Sequence, residues 1–128
     1  RTYILHAGQL RQISRDHSLV AGLLAAGMIE ADEVFTHPPR NIILRSLGDK
    51  VNVSVDIFTE TVEPGDLILI CCDGLWEMVR PPEIVGTMQS FADPQDACKE
   101  LVRQANQAGG EDNISVIVVA IQPNQTKA

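Results

Sequence analysis

The sequence predicts a mixed fold in which apolar strands are combined with amphipathic helices. Residues 67–72 and 114–121 are largely apolar and are bounded by polar or glycine residues, which is typical of strands in a buried sheet. The clearest helix begins at Asp93, where proline follows a good N-cap, and small or apolar residues recur at four-residue spacing until Gly109. At 128 residues and 45% hydrophobic content, the chain has the size of one domain with a real core.

The first forty residues predict a hairpin and two helices. Residues 3–13 predict a β-hairpin, since Gly8 supplies the positive φ that a tight turn needs. A helix is expected to begin at the N-cap Ser18, to bury one face and to end at Gly27. The residues on that face are Leu19, Leu23 and Ala26, with Val20 and Leu24 beside them. Residues 29–40 predict a short helix followed by an irregular, exposed connection that contains two prolines.

Four further segments follow from turn and helix signals. Residues 51–56 alternate between apolar and polar side chains, which predicts a half-buried strand. Residues 63–66 predict a β-turn, with proline second and glycine third, that leads into the central apolar run. A pair of prolines predicts a helix over residues 83–91, because proline is tolerated in the first turn. Residues 123–128 are a polar tail that we expect to fray.

The composition argues against several classes of protein. The chain has ten basic and 17 acidic residues, a net charge of −7, and no basic cluster, so we expect no nucleic-acid or membrane partner. Its longest apolar run is far shorter than the ~20 residues that span a bilayer, and no signal-peptide pattern opens it. Three cysteines, two of them adjacent, predict free buried thiols in the cytoplasm. Because a strand-like segment directly follows Arg1, we expect the sequence to be a fragment.

Two aspartates stand where the apolar strands end or begin. Asp73 and Gly74 directly follow the first apolar run, and Asp112 and Asn113 precede the second. We expect these strands to be neighbours or near-neighbours, because both are too apolar for a sheet edge. Magnesium and manganese prefer oxygen ligands, including one or two carboxylates. Asp73 and Asp112 are therefore predicted to bind a divalent metal, although both aspartate pairs are also common in turns, and a domain in which they are only turns remains open.

Six short motifs, spread over nearly the whole chain, form a larger pattern. They are residues 1–3, 14–18, 37–41, 44–48, 72–77 and 112–116. In this order they resemble the C-terminal half of the catalytic domain of bacterial type 2C metal-dependent serine/threonine protein phosphatases. The resemblance implies an α+β fold for residues 1–128, as part of a four-layer α-β-β-α sandwich with antiparallel sheets whose N-terminal half is missing.

The resemblance also implies an activity and a set of site residues. The activity is hydrolysis of phosphoserine and phosphothreonine in proteins by a metal-activated water, with two or three magnesium or manganese ions in the complete domain. Asp73 and Asp112 would be ligands of one ion, with Gly74 and Asn113 near the site and no further catalytic residue. Arg40 is a hypothetical contact to the phosphoprotein substrate.

Other implications concern the flap and the missing half. Residues 18–40 would correspond to a mobile flap beside the active site, for which the alternative is a plain pair of surface helices. The family's bridging aspartate, glycine carbonyl ligand, phosphate-binding arginine and general-acid histidine have no counterpart here. We therefore expect the fragment to bind metal weakly or not at all, to be inactive, and to pair with the missing half or self-associate through exposed strands. The alternative function is a non-catalytic binding or regulatory module on the same scaffold.

Overall fold

The computed structural model describes residues 1–48 and 50–123, apart from the side chain of residue 41. The predicted fraying of the tail therefore lies outside the described residues, except at Pro123. The chain divides into a first unit, Arg1–Ser14 with Thr59–Ala128, and a second unit, Arg15–Phe58. The first unit combines an antiparallel sheet with three helices, which confirms the α+β class.

Among the described residues, the first unit has four strands and three α-helices, and the second unit has one α-helix and two short 3₁₀ helices. The strands are β1 (Thr2–His6), β2 (Gln9–Gln12), β3 (Leu67–Cys71) and β4 (Val116–Ala120). The helices are α1 (Leu19–Ala25, in the second unit), α2 (Asp73–Trp76), α3 (Pro81–Ser90) and α4 (Pro94–Gln107). No helix in the described ranges combines the length and the apolar character needed to cross a lipid bilayer.

The sheet has the strand order β2-β1-β3-β4, with every pair antiparallel. The hairpin turn between β1 and β2 places Ala7 at φ 47° and Gly8 at φ 81°, as the glycine predicted. The two apolar strands are direct neighbours, with Leu67 opposite Ala120 and Cys71 opposite Val116. The expectation that neither strand lies at an edge is wrong for β4, which is an edge strand of the described sheet. Its residues alternate between half-buried and exposed, so only one face of it packs on the core.

The core lies between one face of the sheet and helices α2, α3 and α4. Leu69 of β3 and Leu101 of α4 are fully buried at its centre. The predicted stripe of α4 is confirmed, since its buried residues are Ala97, Leu101 and Ala105. Helix α3 begins at the predicted proline pair, and its bounds differ from the prediction by two residues or fewer.

Asp93 caps α4 and carries a prediction about stability. Its carboxylate accepts a hydrogen bond of 2.8 Å from the backbone N–H of Gln95, which has no partner within the helix. Replacing Asp93 by alanine is expected to lower the free energy of unfolding by about 0.5–2 kcal/mol, measured by urea denaturation. Asp96→Ala is the control, because it removes a carboxylate of the same first turn and its exposed ion pair to Lys99, but no capping hydrogen bond. Equal losses in the two variants would contradict the capping role.

Helix α1 of the second unit buries only part of its predicted stripe. Ser18 caps the helix as predicted, with its Oγ accepting from the N–H of Ala21 at 3.2 Å. Val20, which the sequence places beside the main face, is 1% exposed, whereas Leu19 on that face is 36% exposed. The helix has only seven residues, and the bond of 2.9 Å from Leu19 N–H to the Ile42 carbonyl ties down its start. Such tertiary contacts, rather than apolar spacing, set which side of a two-turn helix is buried.

Two further segments of the second unit were predicted with different success. The short helix expected within residues 29–40 is a 3₁₀ helix, Ala31–Phe35, whereas the connection after it, expected to be irregular, contains a second 3₁₀ helix at Pro38–Asn41. Residues 51–56 are not a strand, and Val51 is 101% exposed. A strand requires a partner for its backbone groups, and the described residues supply no ladder here.

Side chains, instead of a ladder, hold residues 51–56. Arg45 donates to the Ser54 carbonyl at 3.2 Å and to Asp56 Oδ1 at 3.0 Å, and His17 Nε2 lies 2.6 Å from Asp56 Oδ2. The hydrogen bonds from Arg45 and then from His17 lower the pKa of Asp56. His17 and Arg45 therefore serve as anchors for this segment.

A buried carboxylate stabilises the turn that leads into β3. As predicted, residues 63–66 form a β-turn, with Asp66 N–H bonded to the Glu63 carbonyl at 3.0 Å and Gly65 at φ 99°. Asp66 Oδ2 accepts from the N–H of Glu63 at 2.8 Å, and Oδ1 lies 2.7 Å from His6 Nδ1. The bond from Glu63 and the contact with His6 lower the pKa of Asp66, while the hydrogen bond to Asp66 raises the pKa of His6.

These shifts predict a pH-dependent contribution of His6 to stability. A raised pKa means that the folded state binds the proton more tightly, so the contribution is complete below the unfolded value of 6.5 and disappears as pH rises through the folded pKa. The unfolding free energy of the wild type should exceed that of His6→Asn in mildly acidic solution, and the gap should narrow in alkaline solution. Urea denaturation of both proteins, from mildly acidic to alkaline pH, measures this difference in the free energy of unfolding. A gap that stays constant or widens with pH would contradict the prediction.

Candidate metal centre

The two predicted metal ligands lie at the same end of the sheet. Asp73 is the first residue of α2, two positions after the end of β3, and Asp112 lies in the loop before β4. Strands β3 and β4 are adjacent and antiparallel, with Cys71 opposite Val116, so β3 ends where β4 begins. The fold thus brings together two chain segments that are about forty residues apart in the sequence.

Gly74 is the point of closest approach between these segments. A Cβ atom built on Gly74 would lie 2.3 Å from the carbonyl oxygen of Asn113 and 3.4 Å from the carbonyl carbon of Asp112. Contacts below 3.0 Å essentially never occur for a real Cβ, and the clashing atom is backbone, which has little freedom to move. Only glycine therefore allows the Asp112 loop to lie directly against the start of α2.

Both carboxylates are exposed and use one oxygen locally. Asp73 Oδ1 accepts from the N–H of Gly74 at 3.0 Å, and Asp112 Oδ1 accepts from the N–H of Asn113 at 2.6 Å. These bonds restrict the rotation of the two side chains. Among the described residues, no hydrogen bond is made to either Oδ2 atom. This donor set fits a hard divalent cation, which takes carboxylate oxygens and retains several water ligands.

The described residues provide only part of a complete metal site. Within residues 1–48 and 50–123, no group of three or more His, Cys, Asp or Glu side chains is arranged to hold a metal ion. Octahedral magnesium takes six oxygen ligands, of which Asp73 and Asp112 can supply two. Arg40, the predicted substrate contact, is half-buried in the second 3₁₀ helix of the second unit, and its role stays a prediction.

Cys72 also joins the two segments, and this the sequence did not reveal. Its thiol donates to the Asn113 carbonyl at 3.1 Å and accepts from the N–H of Ser115 at 3.1 Å. The sequence predicts the same role, a buried thiol, for Cys71 and Cys72. Strand alternation separates them, since Cys71 points into the core and burial raises its pKa to about 11. Cys71 is thus a core residue whose neutral thiol is favoured by burial.

Comparison with known proteins identifies relatives of this chain. The model of the family "Protein phosphatase 2C" matches residues 53–114. The serine/threonine phosphatase stp of Listeria welshimeri is 40% identical over 119 residues, which cover 93% of this chain and 47% of that protein. The chain is similar to the protein phosphatase 2C family along nearly its whole length. The resemblance inferred from its motifs is confirmed.

Solved structures of this phosphatase family show the same fold. The serine/threonine phosphatase of S. agalactiae has a TM-score of 0.86 at 32% identity and is covered over 50% of its chain. The catalytic domain of the phosphatase PstP in complex with two manganese ions has a TM-score of 0.81 at 30% identity, with 96% of this chain and 50% of that chain covered. This chain thus spans about half the length of the relatives that it matches.

Proposed function

We propose that these 128 residues are the C-terminal half of the catalytic domain of a bacterial phosphatase that hydrolyses phosphoserine and phosphothreonine in proteins. The observation that carries the proposal is the contact between Gly74 and the Asn113 carbonyl, because it brings Asp73 and Asp112 to one place. The relatives named as serine/threonine phosphatases support the reaction, and the relative that contains manganese supports the cation.

In this proposal the residues of the chain bind and orient. Asp73 and Asp112 would each offer one carboxylate oxygen to a magnesium or manganese ion, while the other oxygen keeps its local hydrogen bond. The metal, when bound, neutralises phosphate charge and activates a water molecule for attack on phosphorus. Residues 18–40 are proposed as the flap beside the site, with Arg40 as a contact to the substrate. The three free thiols support a cytoplasmic location.

The test uses the full-length protein that contains this chain. With manganese, it should release phosphate from phosphoserine and phosphothreonine peptides and lose this activity when the metal is chelated. A phosphotyrosine peptide with the same flanking residues is the control for the substrate class. Absence of turnover on all peptides, with phosphopeptide binding retained, would overturn the proposal in favour of the non-catalytic binding module.

The isolated chain is expected to be inactive and to associate with itself. Two carboxylates bind a divalent ion weakly, so turnover of para-nitrophenyl phosphate with manganese should stay far below that of the full-length protein. The sheet face opposite the core exposes three apolar side chains of β3 and β4: Ile70 (42%), Ile117 (56%) and Val119 (39%). We propose that the remainder of the domain covers this face.

Two measurements on the same sample check these expectations. Light scattering of residues 1–128 should show dimers or larger species at high concentration, and mixing with the rest of the domain should restore both monodispersity and turnover. A clean monomer would contradict the proposed cover for the sheet face. Full activity of the isolated chain would contradict its incompleteness.

A further inference from the structure

We propose that Cys72 is a positioning residue, whose thiol holds the loop of Asp112 against the end of β3 so that both aspartates face one cation. This inference rests on the proposed function, because it assigns Cys72 a role in the same metal site. It goes beyond the aspartates themselves, since the thiol acts through the backbone of Asn113 and Ser115.

The hydrogen bonds of Cys72 continue the pairing of β3 and β4 beyond the last strand residues. The regular ladder ends at Cys71 and Val116. One residue further, the N–H of Cys72 donates to the Ser115 carbonyl at 3.2 Å, and the thiol adds its two bonds of 3.1 Å. The side chain therefore replaces the next rung of the ladder, at the point where the chain turns towards Asp112.

The same carbonyl group is held from two sides. The oxygen of Asn113 accepts the thiol proton of Cys72 and also occupies the space that a side chain at position 74 would need. With the Asn113 carbonyl and the Ser115 N–H both fixed, the backbone that leads to Asp112 has one orientation. Partners that orient a ligand residue in this way are known to contribute strongly to metal affinity.

A thiol has both functions that the geometry requires, because it donates one hydrogen bond and accepts another. Serine also donates and accepts, whereas alanine does neither. If Cys72 were only a filler of space, alanine and serine would differ little in their effect on metal binding. The serine variant therefore separates positioning from packing.

The first experiment measures binding of Mn²⁺ alone to the metal-stripped full-length protein by calorimetry. Cys72→Ala is expected to weaken Mn²⁺ binding by about 10–100-fold, while Cys72→Ser retains most of the affinity. Cys98→Ala is the matched control, since it removes a half-buried thiol on α4 and should leave binding unchanged. Wild-type affinity in Cys72→Ala, or equal losses in the serine and alanine variants, would overturn the inference.

The second experiment does not depend on metal. In the metal-free protein, Cys72→Ala should raise the rate of amide hydrogen exchange at Ser115, whose N–H donates to the thiol, and leave exchange in α4 unchanged. Unchanged protection at Ser115 would overturn the positioning role. If the wild type binds no Mn²⁺, the proposed function fails, and the exchange rate alone decides whether Cys72 holds the loop.

Discussion

Replacing Gly74 by alanine is expected to lower the free energy of unfolding by about 1–3 kcal/mol and to weaken metal binding. The added Cβ would lie 2.3 Å from the Asn113 carbonyl oxygen, so either α2 or the Asp112 loop must move. Alanine favours a helix over glycine by about 1 kcal/mol, and Gly74 lies in α2, so propensity alone predicts the opposite sign. The clash decides the outcome because its cost exceeds this gain.

Gly86 provides the matched control for this prediction. It is the glycine of α3, and a Cβ built on it has no neighbouring atom within 4 Å. Gly86→Ala is therefore expected to raise the free energy of unfolding by up to about 1 kcal/mol. Urea denaturation of both variants measures the change in the free energy of unfolding. Calorimetry with Mn²⁺ measures whether displacement of α2 or the Asp112 loop weakens metal binding. A Gly74→Ala protein as stable as the wild type would contradict the close approach.

The parts of the fold that the sequence predicted well are those with local signals. Asp93, a proline at the next position and the regular spacing of Leu101 with its neighbours all act within α4, so its start and its buried face were both predicted. The turn at residues 63–66 and the hairpin turn at Gly8 likewise follow from the conformational preferences of proline and glycine. In these cases the local preference and the tertiary structure agree.

The second unit shows why other segments were not predicted. The alternation of residues 51–56 describes which side chains share a face, but a strand also needs a neighbouring backbone, and the described residues offer none. For α1, apolar spacing predicted a broad stripe, and contacts such as the backbone bond of Leu19 with Ile42 determine which part of it is buried. Both errors concern partners that are distant in sequence.

The candidate site divides in the same way. Asp73 and Asp112 were predicted from their places beside apolar strands, and the pairing of β3 with β4 confirms that these strands are neighbours. Their role as ligands stays a prediction. The bridge made by Cys72 was not predictable, because a cysteine in an apolar run has the same sequence signal whether its thiol fills the core or bonds to a distant loop.

Asp73→Asn and Asp112→Asn are each expected to weaken Mn²⁺ binding of the full-length protein by more than about 100-fold, the upper end of the loss from an outer-shell partner. Asparagine keeps the oxygen that accepts from the N–H of the following residue, at 3.0 Å for Asp73 and 2.6 Å for Asp112, so the local turns remain. What each variant removes is the negative charge. A hard cation depends on that charge, because a neutral amide oxygen is a much weaker ligand.

The design separates loss of the metal from loss of the fold. Both carboxylates are exposed, so the free energy of unfolding of each metal-free variant, measured by urea denaturation, should match that of the wild type within about 0.5 kcal/mol. Asp96→Asn, an exposed carboxylate on α4, is the control and should change neither metal affinity nor phosphopeptide turnover. If the aspartates share one ion, both single variants should weaken the same binding event, and the loss in the double variant should differ from the sum of the single losses. Loss of one bound ion with unchanged affinity for the rest, at a different ion in each variant, would place the two residues in independent sites, and unchanged affinity in either single variant would exclude that residue as a ligand.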